Sequence, residues 1–79
     1  MLDSTLEILS KNDFTLKLGN RIKEVRISKS ISQSELSRLC GKDRQHIELI
    51  ENNKICPNIY TIYIISNALD ISLSELLEF

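Results

Sequence analysis

The side chains here that could make or break bonds are few, and those that could read hydrogen-bond patterns are clustered. The chain has one histidine, His46, and two cysteines, Cys40 and Cys56. No serine or cysteine stands beside a base at the spacing of a nucleophilic site, and no glycine-rich loop could cradle a phosphate. Cys40, His46 and Cys56 could share a metal, but a zinc site wants a fourth ligand that the sequence does not offer, so neither metal nor cofactor is expected. Arg44, Gln45, His46, Glu48 and Leu49, by contrast, fall together. An arginine can donate twice to guanine O6 and N7, and a glutamine pairs with adenine N6 and N7. A leucine is limited to contact with a thymine methyl. Glu48 could accept from cytosine N4, exclude wrong sequences, or face solvent. For His46 a polar contact to DNA stands beside a solvated surface position and a metal ligand.

The formal charge of the whole chain, -1, disguises where the charges lie. Residues 17–54 hold nine of the ten basic side chains (Lys17, Arg21, Lys23, Arg26, Lys29, Arg38, Lys42, Arg44 and Lys54) against five acids, and both ends are acidic. This asymmetry fits a phosphate-facing surface, and equally a solvated mixed surface. The 79 residues make one domain of marginal stability, which dimerisation would reinforce. Two cysteines are too few for a disulfide framework, and no signal-peptide pattern precedes them. With no apolar run near the ~20 residues of a membrane span, the cytoplasm is the expected compartment.

Helices must position the clustered side chains. Glycine and proline are sparse, which favours a helical bundle over a β fold. Leu18, Ile22 and Val25 recur at helical spacing and predict a first helix over about 16–29. Ser32-Gln33-Ser34-Glu35 is a capping box for a second helix, with Leu36, Leu39 and Cys40 inward and Gly41 at its end. Asp43 is the expected N-cap of a third helix, Arg44 to Glu51, which Asn52 and Asn53 close. Asn58 caps a fourth, with Ile59, Ile62, Ile65, Ser66 and Leu69 as its buried stripe. Ser72-Leu73-Ser74-Glu75 begins a short fifth, carrying Leu73, Leu76, Leu77 and Phe79. Residues 1–15 read as an extension before a domain of 16–79. In it Leu2, Leu6 and Leu9 are compatible with one face of a short helix, followed by a loop at Asn12 and Asp13.

Within Gln33 to Asn52, Leu36 stands fourth, the small Ser37 fifth, Gly41 ninth, and Ile47 and Ile50 fifteenth and eighteenth. The small residue lets two helices cross closely, the glycine turns the chain, and the late apolar pair plugs the second helix onto a core. Further residues join this pattern: Leu18-Gly19-Asn20-Arg21-Ile22, Ser32-Gln33-Ser34-Glu35-Leu36, Ile50-Glu51-Asn52-Asn53-Lys54, Pro57, and Ser72-Leu73-Ser74-Glu75-Leu76-Leu77. On these residues the stretch 18–77 resembles the helix-turn-helix domain of lambda-type phage repressors, Cro proteins and many small bacterial regulators. The resemblance implies an all-α, compact five-helix lambda-repressor-like fold, with the helix-turn-helix at helices two and three. It implies a transcription regulator rather than an enzyme, with double-stranded DNA as partner. It places Arg44, Gln45, His46 and Leu49 toward base edges, and Glu48 joins them as a base contact by its own chemistry. Gln33, Asn52 and Lys54 would hold the phosphate backbone, with Arg38 and Lys42 as further phosphate contacts. Arg26 and Glu51 match a buried ion pair of that family. Lys42 departs from an apolar preference, and Asn53 and Asp70 stand where glycine is common.

Tyr60, Tyr63 and Ile64 are left over from the stripe of the fourth helix. With Leu73, Leu77 and Phe79 they would form an apolar patch too large for a comfortable monomer, unless they wrap into the core or cover the first fifteen residues. A homodimer through helices four and five would meet half-sites about 34 Å apart on a pseudo-palindromic operator. The same fold also serves antitoxins, which block a toxin protein and regulate themselves, and controllers of restriction–modification systems, which are similarly short. The neighbouring gene would separate these readings, and no small-molecule ligand is expected for either. An activator would need an acid against RNA polymerase. Glu24 or Glu35 could supply it, although helix capping already accounts for Glu35.

Overall fold

Four of the five described helices begin where a polar side chain meets the N–H groups that the first turn leaves without partners. The structure is a computed structural model and describes residues 8–79. Its five helices are α1 (Lys11–Ser28), α2 (Gln33–Cys40), α3 (Arg44–Glu51), α4 (Ile59–Ala68) and α5 (Leu73–Leu76). Ser10, Ser32, Asn58 and Ser72 each accept a hydrogen bond from the N–H three residues ahead, at 2.8–3.0 Å. Asp43 precedes α3 in extended backbone but makes no side-chain cap bond.

Four of the helices end alike. Ser30, Gly41, Asn53 and Asp70 take left-handed backbone, with φ between 58° and 65°. In each case that residue and the next donate backwards to carbonyls of the last turn, as in Ser30 to Ile27 and Ile31 to Arg26, or Asn53 to Ile50 and Lys54 to Leu49. This double closure satisfies carbonyls that would otherwise be orphaned. Three of the four residues carry a Cβ, which the left-handed region disfavours.

The core gathers Leu18, Ile22 and Val25 of α1, Leu36 and Cys40 of α2, Ile47 and Ile50 of α3, Ile62 and Ile65 of α4, and Leu69 and Leu76. Burial pushes the Cys40 thiol up from its ordinary pKa, against an opposing pull from Lys42. α1 and α3 meet at backbone distance. A Cβ on Gly19 would overlap the Ile50 carbonyl oxygen and lie 2.5 Å from Asn53 Oδ1, so only glycine permits the crossing.

Some expectations need correction. α1 starts at Lys11 rather than near 16, because Ser10 caps it, and Asn12 and Asp13 form its first turn instead of a loop. Asp13 there faces the positive end of the helix dipole. Leu9 precedes α1, and Leu2 and Leu6 lie outside the described residues. Leu39 is 45% exposed, because Leu36, Ser37 and Cys40 already fill the inward face of α2. Ile59, at the first position of α4, is 61% exposed, and Thr61 and Ile62 take the inward places. α5 is a single turn, and Leu77 and Phe79 lie beyond it.

The left-handed residues offer a direct test. Ser30→Gly or Asp70→Gly removes a Cβ from a strained position and gives back part of the gain through a more flexible unfolded chain. Each should raise stability by about 0.5–1 kcal/mol in urea denaturation.

Candidate nucleic-acid interface

α2 and α3 have eight residues each, too few to hold a helix in water alone. Their geometry is therefore imposed from outside. Gly41 turns the chain between them at φ 65° and ψ 30°. The buried Ser37 lets them approach, its hydroxyl satisfied by the Ser34 carbonyl at 2.8 Å. α3 is anchored on one side by Ile47, Ile50 and Glu51, all buried. Its other side presents Arg44, Gln45, Glu48 and Leu49 to solvent, with His46 half-buried at the flank. The exposed side is free of packing duties, and four different chemistries lie along it.

The end of α3 is held by charge. Arg26 of α1 donates from Nε to Glu51 Oε2 at 2.6 Å and from Nη2 to Oε1 at 2.9 Å. Its third donor, Nη1, reaches the Ile31 carbonyl at 2.8 Å. Gln33, the first residue of α2, adds a bond from Nε2 to Glu51 Oε1 at 3.1 Å. Both members of the ion pair are buried, so the carboxylate is solvated by two side chains instead of water. The arrangement ties α1, the loop before α2, the start of α2 and the end of α3 to one another.

The residues expected at phosphates spread around this unit. Gln33 and Lys42 are half-buried, and Arg38, Asn52 and Lys54 are exposed. Arg38 pairs with Glu35 on its own helix, and Glu24 pairs with Arg21, so both acids considered for a polymerase contact have cationic partners within the chain. Of the apolar residues assigned to a dimer face, Tyr60 is 66% exposed and Tyr63 lies beside it, the ring centroids 6.3 Å apart. Ile64, Leu73 and Leu77 are half-buried against the core, and Phe79 packs on Phe14 with centroids 5.6 Å apart. The exposed Ile59 extends the same end of α4. Among the described residues, no three of His, Cys, Asp and Glu gather as a metal site, and Cys40 and Cys56 are free thiols. No helix there is long and apolar enough to cross a membrane.

Two contributors went unassigned in the sequence. Gly19 carried a signal, since glycine inside a helix costs about 1 kcal/mol against alanine and marks a close approach. Arg21 carried none, because the groups it meets are backbone carbonyls 54 and 55 residues away.

Comparison with known proteins agrees with this geometry. Residues 22–76 match the helix-turn-helix family HTH_3. The restriction-modification controller protein C.AhdI from Aeromonas hydrophila is 34% identical over 78% of this chain and 94% of its own, with a TM-score of 0.76. The hypothetical transcription factor NHTF from Neisseria is 27% identical over 98% of this chain and 88% of its own, at a TM-score of 0.78. The controller protein C.Esp1396I, solved as a tetramer in complex with its natural 35 base-pair operator, is 28% identical, covering 81% of this chain and 88% of its own, at a TM-score of 0.75. No curated protein sequence matches.

Removing one member of the ion pair leaves a lone buried charge. Glu51→Ala should cost roughly 3–5 kcal/mol in chemical denaturation, and the double variant Arg26→Met, Glu51→Leu should cost markedly less than the sum of its single changes.

Proposed function

The chain belongs to the helix-turn-helix family of DNA-binding transcription regulators, and from that premise we propose that it is a homodimeric regulator of the restriction–modification controller kind, reading a pseudo-palindromic operator. The observation that carries this reading is the division of α3 into a buried anchor of Ile47, Ile50 and Glu51 and an outward face of Arg44, Gln45, Glu48 and Leu49. That face enters the major groove. Arg44 takes a guanine and Gln45 an adenine, each bidentate pair discriminating by about 1–3 kcal/mol. Leu49 meets a thymine methyl, Glu48 selects against unsuitable sequences, and His46 makes a polar contact from the flank.

Gln33 needs only one of its two amide hydrogens for Glu51, which leaves the other for a phosphate. Arg38, Lys42, Asn52 and Lys54 add backbone contacts around it. The two-fold interface is formed by Tyr60, Tyr63, Ile64, Leu73, Leu77 and Phe79. The exposure of both tyrosines supports it, as does the capture of the related C.Esp1396I on its operator as a tetramer. Two copies of α3 then meet half-sites about 34 Å apart. With so few cations around the reading face, tight binding needs both halves of the dimer.

Selection from a random DNA pool at ~150 mM salt tests base reading. The wild type should yield an inverted repeat with half-sites about one turn apart, and Arg44→Ala should lose preference at one base pair of each half-site. An unstructured pool, bound equally weakly by both proteins, would mean a protein-binding scaffold and would direct attention to a toxin-like partner. The interface has its own test in the double variant Tyr60→Glu, Ile64→Lys. It should sediment as a monomer, and a persisting dimer would rule out this face.

A further inference from the structure

α5 is one turn of helix, and nothing within it is long enough to fix its own position. Ser72 caps its start through the Glu75 N–H at 3.0 Å. Its far end is held by a residue from the middle of α1. Arg21 donates from Nη2 to the Glu75 carbonyl at 2.8 Å and from Nε to the Leu76 carbonyl at 3.2 Å. Its remaining nitrogen, Nη1, is steadied by Glu24 Oε1 at 3.1 Å. The guanidinium therefore sits where the helix dipole is negative, and it takes up the Leu76 carbonyl together with the Glu75 carbonyl, which also accepts from the Glu78 N–H at 3.3 Å.

We propose that Arg21 is a positioning residue for operator recognition, fixing the roll of α5 and with it the angle between the two recognition helices of the dimer. The proposal rests on the two-fold interface described above. A planar fork spanning two successive carbonyls constrains rotation as well as distance, which a single ammonium cannot do. Leu76 plugs α5 into the core, and the half-buried Leu73 and Leu77 flank it at the proposed interface. Any rotation of α5 is applied twice across a two-fold axis, so a small slip in one copy becomes a doubled change between the DNA-reading faces. α1 also carries Arg26, which holds the end of α3 through Glu51. The two arginines thus secure the interface turn and the recognition helix to one rigid rod.

The test repeats the selection from a random DNA pool, scored for the separation between half-sites, alongside sedimentation of the dimer. Arg21→Met keeps the packed stem without the fork, and Arg21→Lys keeps the charge if the methionine variant does not fold. Val25→Ala, a core change on α1 outside this contact, controls for lost stability. The wild type should select one separation. The Arg21 variants should select the same half-site sequence over separations spread by one or two base pairs, with a dimer dissociation constant about tenfold weaker. Val25→Ala should keep the single separation. An unchanged separation in the Arg21 variants, or an equal spread in Val25→Ala, would overturn the role of Arg21 while leaving the dimer standing. A wild type that sediments as a monomer and selects single half-sites would remove the two-fold reading itself, and this shows before any variant is made.

Discussion

The contact between Arg26 and Glu51 is the constraint on which the rest of the site depends. Apolar burial pulls the helices together but has no direction, and helices of eight residues bring little rigidity of their own. A bidentate pair has direction. Its two bonds at 2.6 and 2.9 Å fix how far α3 lies from α1 and how it is rotated. Gln33 and the Ile31 carbonyl draw the start of α2 into the same small volume. An apolar replacement of similar volume can match the stability of such a pair, so what the charges contribute here is placement. Gly19 completes the constraint by letting α1 touch the backbone at the end of α3.

The parts of this arrangement that were readable in the sequence are those governed by local chemistry. Ser32 with Glu35, Gly41, Asn58 and Ser72 announce helix boundaries because a cap needs only residues three positions apart. Ile47 and Ile50 announce an anchored helix because spacing alone puts them on one face. The association of Arg26 with Glu51 came from resemblance, since nothing local links residues 25 positions apart. Leu39 and Ile59 were misplaced for a related reason. Periodicity tells which residues share a face, and only the packing of neighbouring helices decides how wide that face is. The early start of α1 rests on Ser10, a cap whose following turn, with Asn12 and Asp13, looks like a loop by composition. Arg21 was illegible because a backbone carbonyl leaves no trace in residue identity.

Charge is distributed with the same economy. The chain is slightly negative overall, and three acids of its basic middle stretch have cationic partners: Glu51 with Arg26, Glu35 with Arg38, and Glu24 with Arg21, whereas Asp43 and Glu48 face solvent at and on α3. The exposed pairs contribute little to stability. Their effect is to reduce the local negative field beside the surface that carries Arg44 and Lys54. The acids of the C-terminal stretch, Asp70, Glu75 and Glu78, belong to the part of the chain that closes the bundle.

The split of α3 into anchor and face also bears on how such a molecule changes over generations. Arg44, Gln45, Glu48 and Leu49 do not belong to the core that keeps the helix in place. Surface substitutions of this sort usually alter stability by no more than about half a kcal/mol. On the proposed reading of this face, drift at these positions exchanges one target sequence for another while the scaffold stays intact. A lineage of such proteins is free to diverge in what it reads long before it diverges in how it folds. Neighbouring genetic systems can acquire separate addresses from a single ancestral shape.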